Sequence, residues 1–316
     1  MASIAVIGGT RFFGKILVQD LLDKGHQVTL ITRGNQKDDF GTSVTRLTAD
    51  ANDEAALTAA VDGHKFDVVH HQVCYSPITA KAAVKAFTGR TGKLVMTSSM
   101  EVYNKDTFRW QVPAPRISTY CKESELDPAT YGHDVDLPWL DDDYLDPNYG
   151  EGKRQAESYL VQNAEFEVAI ARLSHVLAYE DEFTGRFTFH YNHIRDSKPM
   201  QSFKDPGKTS YVSAQDAGKF LSWLGDSPVT GPVNGASPDY ATVYDMTALM
   251  APIIGGKTII EEVEDAPNAT DLSAFSCPAD YGLNVDLAAA NGFEFTPITT
   301  WLPTETRAAK AAEEKA

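Results

Sequence analysis

Cysteine is scarce in this sequence. Cys74, Cys121 and Cys277 are the three cysteines among 316 residues, and their wide spacing does not suit a disulfide framework or a zinc site. Long apolar runs are missing too, since no stretch approaches the ~18 apolar residues of a membrane helix. The N-terminus carries no basic leader with a cleavage site. We therefore expect a cytoplasmic protein with no membrane partner and no bound metal.

Positive charge is also in short supply. The chain has 28 lysine and arginine residues against 44 aspartate and glutamate residues, which gives a formal net charge of −16. Affinity for a phosphate backbone depends on lysine and arginine, so this balance argues against a nucleic-acid partner. The rest of the composition, 42% hydrophobic and 23% charged, is ordinary for a globular protein with enough length for a large core.

The strongest local signal lies in the first fourteen residues. Ile4 to Ile7 is a short apolar run that is typical of a strand buried on both faces. Gly8 and Gly9 end this run, and the spacing of apolar residues from Phe12 onward predicts a helix. Strand, glycine turn and helix in this order begin a dinucleotide-binding βαβ unit, whose turn lets a pyrophosphate approach the helix N-terminus. An ordinary turn in another α/β fold is the alternative.

The spacing of this loop resembles that of a known family. Gly8-x-x-Arg11-x-x-Gly14 is similar to the G-x-x-G-x-x-G loop of extended short-chain dehydrogenases, with arginine where the middle glycine usually sits. Gly-Gly-Thr-Arg-Phe-Phe-Gly resembles an atypical branch of that superfamily, labelled NAD(P)-dependent epimerase/dehydratase. This branch includes reductase-like proteins and chloroplast stem-loop-binding proteins. The resemblance extends, with gaps, from Ser3 to about Leu302. It implies that the cofactor is held by Gly8, Thr10, Arg11, Phe12, Phe13 and Gly14.

The end of the second strand is expected to select the cofactor. Gln27 to Thr32 predicts this strand, after which an acidic residue would bind the ribose hydroxyls of NAD and an arginine would pair with the extra phosphate of NADP. Arg33 follows the strand, and no acidic residue occurs until Asp38. Arg11 could reach the same phosphate. A guanidinium group can form two parallel hydrogen bonds to a phosphate. We therefore expect NADP, with NAD as the alternative if Arg33 is only a solvated turn residue.

Further apolar runs predict the other strands of a parallel sheet. They cover residues 44–47, 66–71, 93–98 and 166–171. After the third strand, Asp50 matches the aspartate that caps the adenine in extended short-chain dehydrogenases. Capping of the helix that starts near Asp53 is an equally good use of such a residue.

Two segments resemble the catalytic part of the superfamily. Residues 97–103 resemble its Ser-Ser-x-x-Val-Tyr segment, which implies that Ser99 bonds the substrate oxygen. Tyr149 and Lys153 are four residues apart on a predicted helix and so share one face. This spacing lets the ammonium lower the tyrosine pKa and anchor the nicotinamide ribose, while the phenol passes a proton to or from the substrate. The alternative is a trio that is retained but idle.

Two more residues are candidate substrate contacts. Ser99-Met-Glu101 resembles the Thr-x-Glu segment of nucleotide-sugar dehydratases, in which the glutamate is a base, although a glutamate without a catalytic role is the favoured interpretation of Glu101. Arg186 lies in a segment that resembles the Asp-Arg-Phe sequence of the atypical branch. His175 stands where sugar-nucleotide epimerases usually have an asparagine, and this weakens the transfer of nucleotide-sugar specificity.

These elements predict a doubly wound, mostly parallel Rossmann sheet with a smaller C-terminal substrate lobe. We expect residues 1–175 to form the dinucleotide-binding domain, with 209–240 returning to it. Residues 176–208 and 241–302 would form the substrate lobe, and 303–316 a surface tail. The long polar connection 104–148 is typical of a lid or binding loop.

The expected function is that of an NAD(P)-dependent oxidoreductase or epimerase. It would transfer a hydride at a carbinol or carbonyl carbon of a sugar-like or small carbonyl substrate, with Tyr149 as general acid/base. Two alternatives stay open: a sugar dehydratase that uses Glu101, and a non-catalytic cofactor-sensing or RNA-associated protein. The superfamily also implies a homodimer.

Overall fold

The computed structural model describes residues 1–108, 115–264 and 271–315. Parts of three predicted segments therefore lie outside the described residues: 109–114 of the long connection, 265–270 of the substrate lobe, and 316 of the tail. The strands in chain order are β1 (Ser3–Ile7), β2 (Gln27–Thr32), β3 (Val44–Thr48), β4 (Phe66–His71), β5 (Thr91–Ser99), β6 (Tyr120–Cys121), β7 (Glu167–Leu173), β8 (His175–Leu177), β9 (Pro199–Phe203), β10 (Thr209–Ser213), β11 (Gly231–Gly235), β12 (Tyr240–Ala241), β13 (Ile259–Val263) and β14 (Gly282–Leu283).

The helices are α1 (Phe13–Asp23), α2 (Glu54–Ala60), α3 (Pro77–Phe87), α4 (Asp142–Leu145), α5 (Tyr149–Asn163), α6 (Arg186–Arg195), α7 (Ala214–Asp226), α8 (Val243–Ile254), α9 (Asp286–Ala290) and α10 (Ile298–Glu313). Within the described ranges, none of them is both long enough and apolar enough to cross a membrane.

Seven of the described strands form one parallel sheet in the order β3-β2-β1-β4-β5-β7-β11. In the register of this sheet, Ile4 lies opposite both Val28 of β2 and Val68 of β4. The chain moves outward from β1 to β3 and then crosses back to β4, so the strand order reverses beside β1. A doubly wound sheet opens a crevice at this point, outside the carboxyl ends of the strands. The predicted fold class is confirmed.

Helices cover both faces of the sheet, as parallel strands require. Ile4 and Val6 of β1 pack into the cluster formed with α1 and α7, and Ala5 and Ile7 pack into the cluster formed with α2, α3 and α5. All four side chains are at most 2% exposed. This two-sided burial explains why β1 has no alternation of polar and apolar residues.

A further apolar cluster joins α6, α8 and α10 to the small sheet β12-β10-β8. The predicted surface tail from residue 303 is the second part of α10, which continues to Glu313. Thr306 is fully buried, and Lys310 donates to the carbonyl oxygen of Ile253 at 2.8 Å. These contacts come from a threonine and a lysine, which add no apolar pattern to the sequence.

Residues 115–148 of the long connection pack onto α5. Trp139 is 1% exposed, and its indole N–H donates to the carbonyl oxygen of Asp134 at 2.7 Å. The Tyr131 hydroxyl donates to Glu151 of α5 at 2.8 Å. Buried aromatic residues thus attach this segment to the helix that begins at Tyr149, and its function as a lid stays a prediction.

Candidate active site

The glycine loop joins β1 to α1 at the crevice. Gly8 and Gly9 have φ angles of 96° and 86°, in the left-handed region that favours glycine. At Gly9, an added Cβ atom would also lie 2.8 Å from a methyl carbon of Val6. Phe12 precedes the first turn of α1 and has no polar side chain to cap it. The positive end of the α1 dipole at this turn is therefore suited to an external anion.

The carboxyl ends of β4 and β5 hold Lys153. Its Nζ donates to the carbonyl oxygens of Cys74 at 2.9 Å and Thr97 at 2.8 Å, and it lies 4.4 Å from the ring centroid of Tyr75. An ammonium group has three N–H donors, so these two bonds leave one for a ligand. Burial lowers the pKa of Lys153 to about 8.

Tyr149 and Ser99 meet at the start of α5. Both side chains line the same cavity, and Ser99 Oγ accepts from the Glu101 N–H at 3.2 Å. Burial raises the pKa of Tyr149, while the nearby Ser99 hydroxyl and the charge of Arg186 act in the opposite direction. The phenol is therefore protonated at neutral pH. Lys153 Nζ lies 5.8 Å from the Tyr149 ring centroid, and its effect on this pKa stays a prediction.

The first turn of α5 reaches the sheet because Gly152 has no side chain. An added Cβ atom there would lie 2.6 Å from the carbonyl oxygen of Tyr75. The backbone of α5 therefore approaches the residues that follow β4 more closely than any other residue type would allow. This approach brings Tyr149 and Lys153, one turn apart, to the ends of β4 and β5.

A cavity of about 450 Å³ opens between these groups. Its wall includes the predicted catalytic residues Ser99, Tyr149 and Lys153, together with Phe12 and Phe13 of the glycine loop. The structure thus brings together residues from three distant parts of the sequence. They lie at the point where the strand order reverses, which is where ligands bind in doubly wound sheets.

Three buried polar atoms of the cavity residues have no hydrogen-bond partner among the described residues. They are Gln72 Nε2, Thr97 Oγ1 and Ser174 Oγ. Buried polar groups are normally paired, so these atoms indicate a polar ligand. A nicotinamide dinucleotide fits them, because its phosphates suit the N-terminus of α1 and its ribose and amide groups offer partners for Lys153 and the unpaired atoms.

The wall of the cavity also includes Glu101, His175 and Arg186. Asn104 donates to the Glu101 carboxylate at 2.9 Å. Burial lowers the pKa of His175 to about 4, and the nearby Arg186 charge acts in the same direction, so the imidazole is neutral. Within the described residues, the Arg186 guanidinium forms no hydrogen bond or ion pair. This wall can therefore offer a substrate an acceptor, a neutral imidazole and a cation.

The residues predicted to select the cofactor lie outside this cavity. Arg33 is exposed directly after β2. Asp38, the first acidic residue after Arg33, is held by Arg46 through bonds of 3.1 and 2.5 Å. Asp50 accepts from the N–H of Asn52 at 2.9 Å. The N-cap of α2 is Asp53, so Asp50 is not used as the helix cap.

Several cavity residues were missed by sequence reasoning. Gln72 and Tyr75 follow β4, and the general rule that strand ends line the cofactor would have found them. Phe183 lines the cavity from the segment before α6, where its ring lies 5.8 Å from that of Phe12 and 5.1 Å from the Arg11 guanidinium. Asp181 accepts a hydrogen bond from the Phe12 N–H at 3.2 Å. No local pattern marks these last two residues, because their contacts cross about 170 positions of sequence.

The fold and this site define a dinucleotide-binding α/β protein. A family model described as NAD(P)H-binding matches residues 8–188, more than half of the chain, and the chain therefore belongs to this NAD(P)H-binding family. The predicted membership of an NAD(P)-binding superfamily is confirmed, while the branch with arginine in its glycine loop stays a prediction.

Solved structures with low sequence identity share the fold. The Bordetella bronchiseptica enzyme WbmH in complex with NAD+ is 16% identical, with a TM-score of 0.70 over 100% of this chain and 99% of that chain. UDP-glucose 4-epimerase from Thermus thermophilus is 16% identical, with a TM-score of 0.70 over 98% and 99%. dTDP-glucose 4,6-dehydratase from Bacillus anthracis is 12% identical, with a TM-score of 0.70 over 99% and 98%.

A curated relative matches part of the chain. The chloroplast stem-loop binding protein of 41 kDa b from Arabidopsis thaliana is 28% identical over 140 residues. This match covers 40% of the chain and 34% of the relative, so the chain spans about a third of the relative's length.

Proposed function

We propose that this chain is an NAD(P)-dependent short-chain dehydrogenase/reductase that transfers a hydride at a carbinol or carbonyl carbon of a sugar-like or small carbonyl substrate. The observation that carries the proposal is the meeting of Ser99, Tyr149 and Lys153 in one cavity beside the glycine loop. A bound nicotinamide supplies or accepts the hydride. In this proposal residues 1–175 and 209–240 hold the dinucleotide, and 176–208 and 241–302 contribute the substrate side. We also propose that the protein forms a homodimer.

Each of the three residues has a separate role. Tyr149 is protonated in the ligand-free protein, so it can give its proton to a carbonyl oxygen during reduction and recover it during oxidation. Ser99, in the same cavity, would orient the same oxygen. Lys153 is fixed by two backbone carbonyls and would hold the nicotinamide ribose with its remaining N–H. The predicted cofactor contacts of Gly8, Thr10, Arg11, Phe12, Phe13, Gly14 and Asp50 complete the proposed dinucleotide site.

We expect the protein to bind NADP more tightly than NAD, and Arg33→Ala to remove most of this preference. Arg33 is exposed at the end of β2, and the nearest acidic residue after it is neutralised by Arg46. A bond between a guanidinium and a phosphate contributes about tenfold in affinity. Calorimetric titration of both dinucleotides measures the preference. The matched control is Lys37→Ala, which removes the same charge from an exposed position nearby and should leave the preference intact. Tighter binding of NAD by the natural protein would contradict the expectation.

A dehydratase is the second candidate, because Glu101 lies on the wall of the same cavity. In that reaction Glu101 would remove a proton from the carbon beside a transient ketone. A C=C bond would form as the hydroxyl group on the next carbon leaves as water with that proton. The Asn104 amide that donates to its carboxylate would hold the base in place. WbmH and the 4-epimerase and dehydratase above share the fold of this chain, so both reaction types are compatible with the architecture.

Glu101→Gln separates the two candidates. Because glutamine cannot accept the proton, the variant should lose about 100-fold or more of an elimination rate, whereas a simple reduction should persist near the natural rate. A panel of nucleotide sugars and small carbonyl compounds would be screened with both proteins, with reduced nicotinamide and unsaturated or deoxy products measured. As a control, the natural protein and Glu101→Gln should bind the dinucleotide with equal affinity. A reductase activity that disappears in Glu101→Gln would place the glutamate in the hydride-transfer reaction instead.

A further inference from the structure

A short segment of the chain lies across the glycine loop. Residues 179–185, here called the strap, connect β8 to α6. In the middle of the strap, the Asp181 carboxylate accepts from the Phe12 N–H at 3.2 Å and forms an ion pair with Lys15 at 3.1 Å. Phe183 then places its ring against Phe12 and Arg11. The strap therefore contacts both the backbone and the side chains of the loop.

The Phe12 N–H is part of the anion site of this fold. It belongs to the turn that opens α1, and N–H groups at such a turn bind phosphate oxygens in dinucleotide-binding proteins. A carboxylate oxygen and a phosphate oxygen are the same kind of acceptor. One N–H in this geometry serves one of them at a time, so Asp181 and a pyrophosphate compete for it.

The strap is attached through Tyr179 and Glu182, while Asp181 and Phe183, on either side of Glu182, are open to solvent. The Tyr179 N–H donates to Glu305 of α10 at 3.0 Å, and Glu182 accepts from the N–H groups of Arg186 and Phe187 of α6 at 3.1 and 3.0 Å. Phe183 is 62% exposed and the Asp181 side chain 40%. Asp181 and Phe183 can therefore leave the loop while the bonds of Tyr179 and Glu182 keep the strap attached to α10 and α6.

Cavities lie on both sides of the strap. One is the active-site cavity, and the other, of about 580 Å³, is lined by Lys15, Asp39, Gln215 and Glu305. Phe12 lines both of them. Movement of Asp181 and Phe183 away from Phe12 would join the two spaces over the N-terminus of α1, where the phosphates belong.

We propose that Asp181 is a resident anion of the glycine loop, which the pyrophosphate of the dinucleotide displaces, so that the strap lifts when the cofactor binds. The inference rests on the proposed function in taking this loop as the pyrophosphate site. It makes Asp181 a residue that sets cofactor affinity without contacting the cofactor. Lys15, released by Asp181, becomes available to the phosphate.

The test compares three proteins: the natural chain, Asp181→Asn and Asp39→Asn. Asparagine tolerates the left-handed φ of 59° at position 181 and removes the charge that competes for the N–H. Asp39 forms an ion pair with the same Lys15 at 3.5 Å but is 93% exposed, so its replacement controls for charge alone. Calorimetry with ADP, which carries the pyrophosphate without the nicotinamide, measures the affinity.

We expect Asp181→Asn to bind ADP about tenfold more tightly than the natural protein, because the competing acceptor loses its charge and its ion pair with Lys15. Asp39→Asn should change the affinity about twofold at most, as an exposed charge does. Equal affinities of Asp181→Asn and Asp39→Asn, or weaker binding by Asp181→Asn, would overturn the inference alone. If none of the three proteins bound ADP, both the proposed cofactor site and this inference would be wrong.

Hydrogen exchange gives a readout that does not depend on affinity. Without ligand, the Phe12 amide should exchange faster in Asp181→Asn than in the other two proteins. Adding ADP to the natural protein should protect residues 10–14 and expose residues 179–185 to faster exchange. Unchanged or stronger protection of the strap on ADP binding would overturn the proposed displacement, even if the affinities change as expected.

Discussion

Replacing Tyr149 with phenylalanine is expected to slow hydride transfer by about 100- to 10 000-fold, the contribution of a positioned general acid/base. The variant keeps the ring in the cavity wall and loses the hydroxyl that is proposed to carry the proton. Affinity for the dinucleotide should change little, because Lys153 and the glycine loop are untouched. Stopped-flow absorbance of reduced nicotinamide, with a substrate from the carbonyl screen, measures the rate, and calorimetry measures the affinity.

Tyr75→Phe is the matched control for this prediction. The Tyr75 ring also lines the cavity and lies 6.2 Å from the Tyr149 ring, yet its hydroxyl has no role in the proposed proton transfer. The rate of hydride transfer by Tyr75→Phe should stay within a few-fold of the natural rate. A Tyr149→Phe protein that reduces the substrate at the natural rate would eliminate Tyr149 as the acid, and an equal loss in both variants would point to cavity shape instead.

Glu157→Leu is expected to lower the free energy of unfolding by about 3–5 kcal/mol, the usual cost of removing one partner of a buried ion pair. Arg172 and Glu157 are 0% and 1% exposed and bond at 2.6 Å. Without the carboxylate, Arg172 would keep an uncompensated charge in the core. Ser98, which donates to Glu157 at 2.5 Å, would lose its partner directly beside Ser99. Urea unfolding followed by circular dichroism measures the change.

The exposed pair of Arg90 and Asp62 provides the comparison. Asp62 is 79% exposed, and Asp62→Ala should change stability very little, because surface ion pairs are screened by water and salt. The double variant Glu157→Leu/Arg172→Met should recover part of the loss, since it removes the unpaired charge as well. A single Glu157→Leu variant as stable as Asp62→Ala would show that the buried pair contributes no net stability.

The sequence by itself determined the main sheet, because each strand is predicted by a pattern of neighbouring residues. The predicted strands at 27–32 and 66–71 coincide with β2 and β4, because each has a mainly apolar centre bounded by turn residues. The glycine turn before α1 and the Tyr-x-x-x-Lys spacing on α5 are likewise patterns of neighbouring residues. For the same reason the sequence placed the start of α5 at Tyr149.

Other features depend on contacts between distant residues, and only the tertiary structure decided them. The packing of α10 depends on the cluster it meets. The position of Asp181 on the Phe12 N–H joins residues 169 positions apart. Periodicity and turn chemistry depend on residues that are close together in the sequence. The partner of a carboxylate is set by how separate elements pack, so the strap across the glycine loop became visible only in the folded chain.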